Sequence, residues 1–164
     1  MIILALHETG GNENDLLPVL RGVAPGARVL NPRLDANSSP ATVAAYVKEL
    51  APGADNICAF GYSTGANLAA EILLQHPNAL AGAVLLRPGA ILRPASLPSL
   101  ESKKVLLVAG TQDTTHPPDA AVATARLLAE AGAAVDFSEQ DTDHGLTPQD
   151  FALTQRWLIE VFFR

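Results

Sequence analysis

Short, continuously apolar runs alternate along this chain with longer amphipathic segments, and that alternation constrains the fold more than any other feature. Runs that are apolar at every position are typical of strands covered on both faces. Alternation of strand and helix indicates a parallel sheet whose strands are joined by right-handed crossovers. The predicted strands are residues 1–6, 28–30, 56–60, 82–86, 104–109 and 135–138.

Helical patterns occupy the intervals between these runs, and each pattern has one apolar face. The helical segments are residues 43–50, 66–75, 122–129 and 151–162. Pro117 and Pro148 stand where helices would begin, and Gly132 stands where one would end. Segment 88–102 contains three prolines and no helical period, so we expect a loop over one end of the sheet.

Composition limits the classes of protein that this chain can form. Its 164 residues, 48% hydrophobic and 17% charged, favour one globular domain over residues 1–164. A net charge of -6 without a cluster of Lys or Arg argues against nucleic acid and anionic membranes as partners. No run is long enough to span a bilayer, residues 1–6 resemble a strand more than a signal peptide, and Cys58 has no second cysteine to pair with. We therefore expect a cytoplasmic protein.

The segment 61–65, with the sequence GYSTG, follows the predicted strand 56–60 and precedes the predicted helix 66–75. In a G-x-S-x-G turn between strand and helix, the serine is exposed at a sharp bend, and the two glycines let strand and helix approach. The helix N-terminus then favours negative charge developing beside the serine. The sequence therefore predicts Ser63 as a nucleophile.

A serine needs a general base, and His144 is the first candidate. It lies after the last predicted strand and before the last helix. The partners of a G-x-S-x-G serine follow it along the chain in the order acid, then histidine, which agrees with this position. His116, in a proline-rich loop, is the second choice. His76 follows the predicted helix 66–75, and we expect it to be solvated.

The acid that orients the base is predicted to be Asp113, which follows strand 104–109 and precedes His144 by one strand–helix unit. Asp119 is a rival, although an acid in the first turn of a helix is favoured for other reasons. Asp141 and Asp143 are further rivals, but both are close to the histidine in sequence and would reach its far nitrogen with difficulty.

The loop after the first strand has the sequence HETGG over residues 7–11. Its adjacent glycines allow backbone amides to turn inward, so we predict an oxyanion hole formed by the amides of Thr9 and Thr64. Around it, Tyr62 and Ile91 are expected to line a substrate pocket. Arg87 follows the fourth strand and could bind an acidic substrate group, although a plain solvated arginine is the favoured interpretation. Cys58 is expected to be a buried core residue.

Together these residues resemble the phospholipase/carboxylesterase family of α/β hydrolases, and most of all its small cytoplasmic carboxylesterases, which include a branch linked to hydroquinone and quinone stress. The resemblance implies a minimal α/β-hydrolase fold, a Ser63–Asp113–His144 triad, hydrolysis of carboxylic esters or thioesters, and no cofactor or metal. The matching stretches are LHETGGNENDLLP over 6–18, GYSTGAN over 61–67, AGTQD over 109–113 and HGLT over 144–147.

Three departures from the family pattern affect the expectations. Glu8 replaces the usual glycine, and we expect its carboxylate to point away from the oxyanion. The chain starts at the strand that leads to His7, without the family's extra antiparallel strands. The segment after the second strand passes almost at once into the helix near Ala41, which predicts a shallower, more open site.

The expected activity is that of a serine carboxylesterase acting on a small-molecule ester through an acyl-enzyme on Ser63. Two alternatives stay open: an acyl-thioesterase or lysophospholipase-type hydrolase, and an inactive binding module of the same fold. A homodimer also stays open, because nothing in the sequence determines the oligomeric state.

Overall fold

All six apolar runs form strands in the computed structural model, which describes residues 1–162. Residues 163 and 164 of the predicted domain lie outside the described residues. The predicted and observed ends of the strands differ by no more than two residues. The strands are β1 (Ile2–Leu6), β2 (Arg28–Leu30), β3 (Ile57–Tyr62), β4 (Gly82–Leu86), β5 (Lys104–Gly110) and β6 (Ala134–Gln140).

The strands form one sheet in the order β2-β1-β3-β4-β5-β6, and every pairing among the described residues is parallel. In register, Ile2 of β1 lies opposite Arg28 and Ile57, and Lys104 of β5 lies opposite Gly82 and Ala134. This confirms the predicted α/β fold with a parallel sheet.

Among the described residues, four helices connect strands and a fifth follows β6, and proline stands in the first turn of four of the five. Proline is tolerated there because the first helical N–H has no partner within the helix. Gly132 follows α4 with φ +100°, as the predicted helix end requires. The helices are α1 (Leu17–Val23), α2 (Pro40–Leu50), α3 (Thr64–Gln75), α4 (Pro118–Glu130) and α5 (Pro148–Trp157), with a π-helical turn over Leu158–Phe162.

Two details of the helices differ from the expectation. Helix α1 was not predicted, because seven residues that include Pro18 and Gly22 give too weak a helical pattern. The sequence pattern predicts Val122, Ala125 and Ala129 as the apolar face of α4, but the buried face includes Leu128 and Ala129 is exposed. A helix rich in alanine offers several apolar faces, so periodicity alone does not select the buried one.

Helices cover both faces of the sheet and give two hydrophobic cores. Side chains alternate between the faces, so Ala59 of β3 faces the core beneath α2, α3 and α4, whereas Phe60 faces the core beneath α1 and α5. Both residues are fully buried. The central strands are therefore packed on both faces, and the segments after the strands lie at the carboxyl edge of the sheet.

The loops at that edge carry the predicted functional residues. His7 follows β1, Ser63 follows β3, Arg87 follows β4, Asp113 follows β5 and His144 follows β6. The segment 88–102 is a loop, as predicted. Within residues 1–162, no helix is both long and apolar enough to cross a membrane.

Candidate active site

Ser63 occupies a strained turn between β3 and α3. Its φ of 56° and ψ of -122° lie outside the regions that a serine usually adopts, and its N–H donates to the carbonyl of Leu86 at 2.9 Å. A Cβ on Gly65 would overlap the carbonyl oxygen of Leu6, and one on Gly61 would lie 2.6 Å from the carbonyl of Gly65. The glycines are therefore required by close backbone packing around the serine.

A continuous chain of hydrogen bonds joins three side chains from separate loops. The Ser63 hydroxyl lies 2.9 Å from His144 Nε2, and His144 Nδ1 lies 2.7 Å from Asp113 Oδ2. Because a carboxylate only accepts, Nδ1 carries the proton, which leaves Nε2 free to accept the serine proton. The His144 side chain is 19% exposed and that of Asp113 is fully buried. This arrangement can activate the hydroxyl as a nucleophile.

The turn after β5 keeps Asp113 ionised. Its Oδ1 accepts hydrogen bonds from the backbone N–H groups of Thr115 at 2.9 Å and His116 at 2.8 Å. Burial alone would raise the pKa of the Asp113 carboxyl, but the hydrogen bond from His144 and the two backbone donors outweigh burial and hold the pKa below its ordinary value.

The rival base and two of the rival acids form hydrogen bonds with other groups. The His116 ring lies edge-on to the His144 ring, with centroids 5.1 Å apart, and its Nδ1 donates to the carbonyl of Arg87 at 2.8 Å. Asp141 accepts from Gln112, and Asp143 accepts from the N–H of Gly145. Asp119 is exposed in the first turn of α4.

Three consecutive carbonyls in the loop that carries His144 are held by side-chain donors. The Tyr62 hydroxyl donates to the carbonyl of His144 itself at 3.0 Å. Arg87 donates from Nε to the carbonyl of Asp143 at 3.2 Å and from Nη2 to that of Gly145 at 3.1 Å. The loop that carries His144 is therefore fixed on both sides of the imidazole.

The favoured interpretation of Arg87 as a solvated residue is wrong, because its side chain is buried; binding of an acidic substrate group stays a prediction. It is 1% exposed and pairs with Asp150 through two hydrogen bonds, Nη1–Oδ1 at 3.0 Å and Nη2–Oδ2 at 2.8 Å. Its φ of 53° turns the side chain under the histidine loop. An arginine after a strand is usually solvated, and only the distant Asp150 makes burial tolerable.

The loop after β1 lies against the start of α3. The Thr9 N–H donates to the Thr64 hydroxyl at 2.7 Å, and the two threonine hydroxyls lie 3.0 Å apart. Thr9 and Thr64, the predicted oxyanion donors, are therefore adjacent and exposed beside Ser63. Among the described residues no acceptor is paired with the Thr64 N–H, which lies in the first turn of α3.

His7 supports this loop, a role that the sequence did not reveal. Its Nε2 accepts from the N–H of Leu34 at 3.0 Å, so the proton lies on Nδ1, which donates to the carbonyl of Glu8 at 2.8 Å. The buried ring thus ties the loop after β1 to the segment after β2. The clue in the sequence was a histidine directly after a buried strand.

Two small cavities flank the residues around Ser63. One of about 320 Å³, here the Glu8 cavity, is lined by His7, Glu8, Asp15, Leu16, Val19, Tyr62 and Leu146. The other, of about 250 Å³, is here called the Glu71 cavity; its wall includes Thr9, Thr64, Asp35, Leu34, Leu68 and Glu71. A larger cavity of about 520 Å³ lies at the opposite edge of the sheet beside Ile57 and contains none of the predicted site residues.

The remaining predicted residues lie as follows. Tyr62 lines the Glu8 cavity, whereas Ile91 packs against the core on the α2, α3 and α4 face, and its contact with a substrate stays a prediction. Cys58 is fully buried as expected, and burial raises the pKa of its thiol far above the ordinary range. His76 is half-buried at the end of α3.

Comparison with known proteins supports the family resemblance. The chain is 31% identical to a carboxylesterase of Bacillus cereus, whose crystal structure it matches with a TM-score of 0.88 over 97% of this chain and 87% of the other. A carboxylesterase of Mesorhizobium loti gives 28% identity and a TM-score of 0.87 over 98% and 88% of the two chains.

A curated relative extends this result. MhqD of Bacillus subtilis strain 168, a candidate hydrolase, is 29% identical over 98% of this chain and 93% of its own length. No family model matches the chain. The matched sequence and fold of the Bacillus cereus carboxylesterase show that the chain belongs to the carboxylesterases of the α/β-hydrolase fold and is a carboxylic ester hydrolase.

Proposed function

We propose that the protein hydrolyses small or accessible carboxylic esters through an acyl-enzyme on Ser63. The observation that carries this proposal is the hydrogen-bonded chain from Ser63 Oγ to His144 Nε2 at 2.9 Å and from His144 Nδ1 to Asp113 Oδ2 at 2.7 Å. A base within hydrogen-bond distance of the hydroxyl, itself held by a carboxylate, is the arrangement that nucleophilic catalysis by serine requires.

The reaction proceeds by double displacement. His144 accepts the proton of Ser63 as Oγ attacks the ester carbonyl, and the same proton then passes to the departing alcohol. Water, deprotonated by His144, attacks the acyl-enzyme and releases the acid with Ser63 restored. Asp113 stabilises the imidazolium in both halves of the reaction.

The negative charge on the carbonyl oxygen is held by the backbone amides of Thr64 and Thr9. The Thr64 amide lies at the N-terminus of α3, where the helix dipole adds to the stabilisation. The Thr9 amide donates to the Thr64 hydroxyl in the free protein. That hydroxyl must rotate away when the substrate oxygen takes its place, which a side chain exposed to solvent can do readily.

The dimensions of the site favour small substrates. Cavities of about 320 Å³ and 250 Å³ flank the serine, and helix α2 begins at Pro40, only ten residues after the end of β2 at Leu30. Little chain is therefore available to build a long acyl groove. This supports short esters over the long-chain thioesters or lysophospholipids of the alternative function.

The test is hydrolysis of p-nitrophenyl esters of increasing acyl length by purified protein. Wild type is expected to prefer acetate and butyrate to decanoate, and Ser63→Ala to lower kcat on the order of 10⁶-fold. Ser102→Ala, an exposed serine outside the site, is the matched control and should keep wild-type rates. Equal rates for Ser63→Ala and wild type would refute the acyl-enzyme, and a preference for decanoate would favour the alternative.

A further inference from the structure

The two cavities beside Ser63 share one electrostatic property. Neither Lys nor Arg lines them in the part of the chain that the structure describes, and each contains carboxylates: Glu8 and Asp15 in one, Asp35 and Glu71 in the other. Arg87 provides no compensation, because its side chain is buried and paired with Asp150. An anionic group on a substrate would therefore meet no counter-charge in either cavity.

Within the Glu8 cavity, Glu8 has more freedom to bind a ligand than Asp15. Both oxygens of Asp15 accept hydrogen bonds from Asn12, at 2.7 and 2.6 Å, whereas no donor among residues 1–162 bonds the carboxylate of Glu8. Glu8 is half-buried and directly precedes Thr9, whose amide contacts the residue after Ser63. Its negative charge is therefore available in a cavity next to the residues that surround Ser63.

The rest of the Glu8 cavity is suited to an alkylated cation. Leu16, Val19 and Leu146 provide apolar wall, and Tyr62 provides an aromatic ring. Burial raises the pKa of the Tyr62 phenol, and the nearby charge of Glu8 raises it further. Aromatic and apolar surface next to a carboxylate is the environment in which proteins bind ammonium groups that carry alkyl substituents.

We propose that the Glu8 cavity is a subsite for an ammonium group of the substrate, so that the enzyme selects esters of amino alcohols and disfavours esters that carry a carboxylate or phosphate. This inference rests on the proposed esterase function and adds to it the charge of the substrate. The proposed subsite also disfavours thioesters of phosphate-bearing carriers, because their anionic groups would approach two acidic cavities.

The test compares two esters of nearly equal shape, acetylcholine and its uncharged analogue 3,3-dimethylbutyl acetate. The ratio of their kcat/KM values is measured for wild type, for Glu8→Gln, and for Glu49→Gln, a control that removes the same charge from an exposed position of α2. We expect Glu8→Gln to lower the ratio about 10-fold, since a charge a few ångströms away contributes on this scale, and Glu49→Gln to leave it unchanged.

A second measurement needs no variant. Raising the salt concentration is expected to lower the kcat/KM of wild type for acetylcholine, because salt screens a partly exposed charge. The kcat/KM for the uncharged ester should stay unchanged. If Glu8→Gln or added salt leaves the ratio as it was while both esters are hydrolysed, the ammonium subsite is refuted and the esterase proposal stands. If wild type hydrolyses neither ester, nor p-nitrophenyl acetate, the proposed function itself fails.

Discussion

Arg87 and Asp150 form a fully buried, two-pronged ion pair beneath the loop that carries His144, with Nη1–Oδ1 at 3.0 Å and Nη2–Oδ2 at 2.8 Å. The pair joins the end of β4 to the first turn of α5. Asp150 also accepts from the N–H of Thr147 at 2.7 Å and so caps α5. Both ends of the segment between β6 and α5 are thereby tied to the sheet, which fixes the position of His144.

Breaking this pair from one side is predicted to destabilise the fold. Arg87→Met leaves the Asp150 carboxylate buried without a counter-charge, and we expect the free energy of unfolding to fall by about 3–5 kcal/mol. Urea denaturation followed by circular dichroism measures this. The matched control is Arg93→Met, because Arg93 pairs with Glu130 at the surface, where both side chains are more than half exposed. Equal stability of Arg87→Met and wild type would contradict the role assigned to the pair.

Replacing Asp113 with Asn should reduce turnover while the fold is kept. An amide at this position can present its N–H₂ group to His144 Nδ1, which favours the wrong tautomer of the base. We expect kcat for p-nitrophenyl acetate to fall about 10⁴-fold. Asp119→Asn, which changes a rival acid exposed on α4, should retain wild-type kcat. The opposite pattern would assign the acid to Asp119.

The stability contributed by Asp113 is predicted to depend on pH with a definite sign. Its folded-state pKa lies below that of the unfolded chain, so the contribution is complete above the ordinary aspartate pKa of about 3.9 and is lost as the pH falls through the lower folded value. The difference in unfolding free energy between wild type and Asp113→Asn should therefore be larger near neutral pH than at about pH 3. A difference that grows on acidification would contradict this assignment.

Two glycines in helices are predicted to respond in opposite ways to alanine. Gly65→Ala would drive a Cβ into the backbone carbonyl of Leu6, so we expect a loss of at least about 1–3 kcal/mol of stability together with loss of activity. Gly22 of α1 has nothing within 4 Å of an added Cβ and lies at an exposed position. Gly22→Ala should gain about 0.5–1 kcal/mol. Thermal unfolding of both variants measures whether stability falls for Gly65→Ala and rises for Gly22→Ala. Unchanged stability of Gly65→Ala would show that the turn around Ser63 is less closely packed.

Periodicity and chain order were sufficient to predict the sheet and the residues that meet at its edge. The four central strands β1, β3, β4 and β5 are nearly continuous apolar runs, whereas the edge strand β6 contains several polar residues. The loops after β3, β5 and β6 carry Ser63, Asp113 and His144 because parallel strands bring their carboxyl ends together. The G-x-S-x-G turn identified the serine, since only a tight strand-to-helix turn needs glycine on both sides.

Burial of polar groups could not be predicted in the same way. The environment of Arg87 depends on Asp150, which lies 63 residues away, and local sequence does not reveal that contact. His7 likewise depends on the N–H of Leu34, and the hydrogen bond between Thr9 and Thr64 spans 55 residues. These groups are defined by tertiary contacts, which a pattern of neighbouring residues does not contain.

The most direct test of the central claim is covalent labelling of the protein with a fluorophosphonate, followed by peptide mapping. A serine whose hydroxyl is activated by a neighbouring base displaces the fluoride and keeps the phosphonyl group. We predict a single adduct, on Ser63, that is lost in Ser63→Ala and strongly slowed in His144→Ala. Labelling that persists in Ser63→Ala, or an adduct on any other residue, would contradict the assignment of the nucleophile.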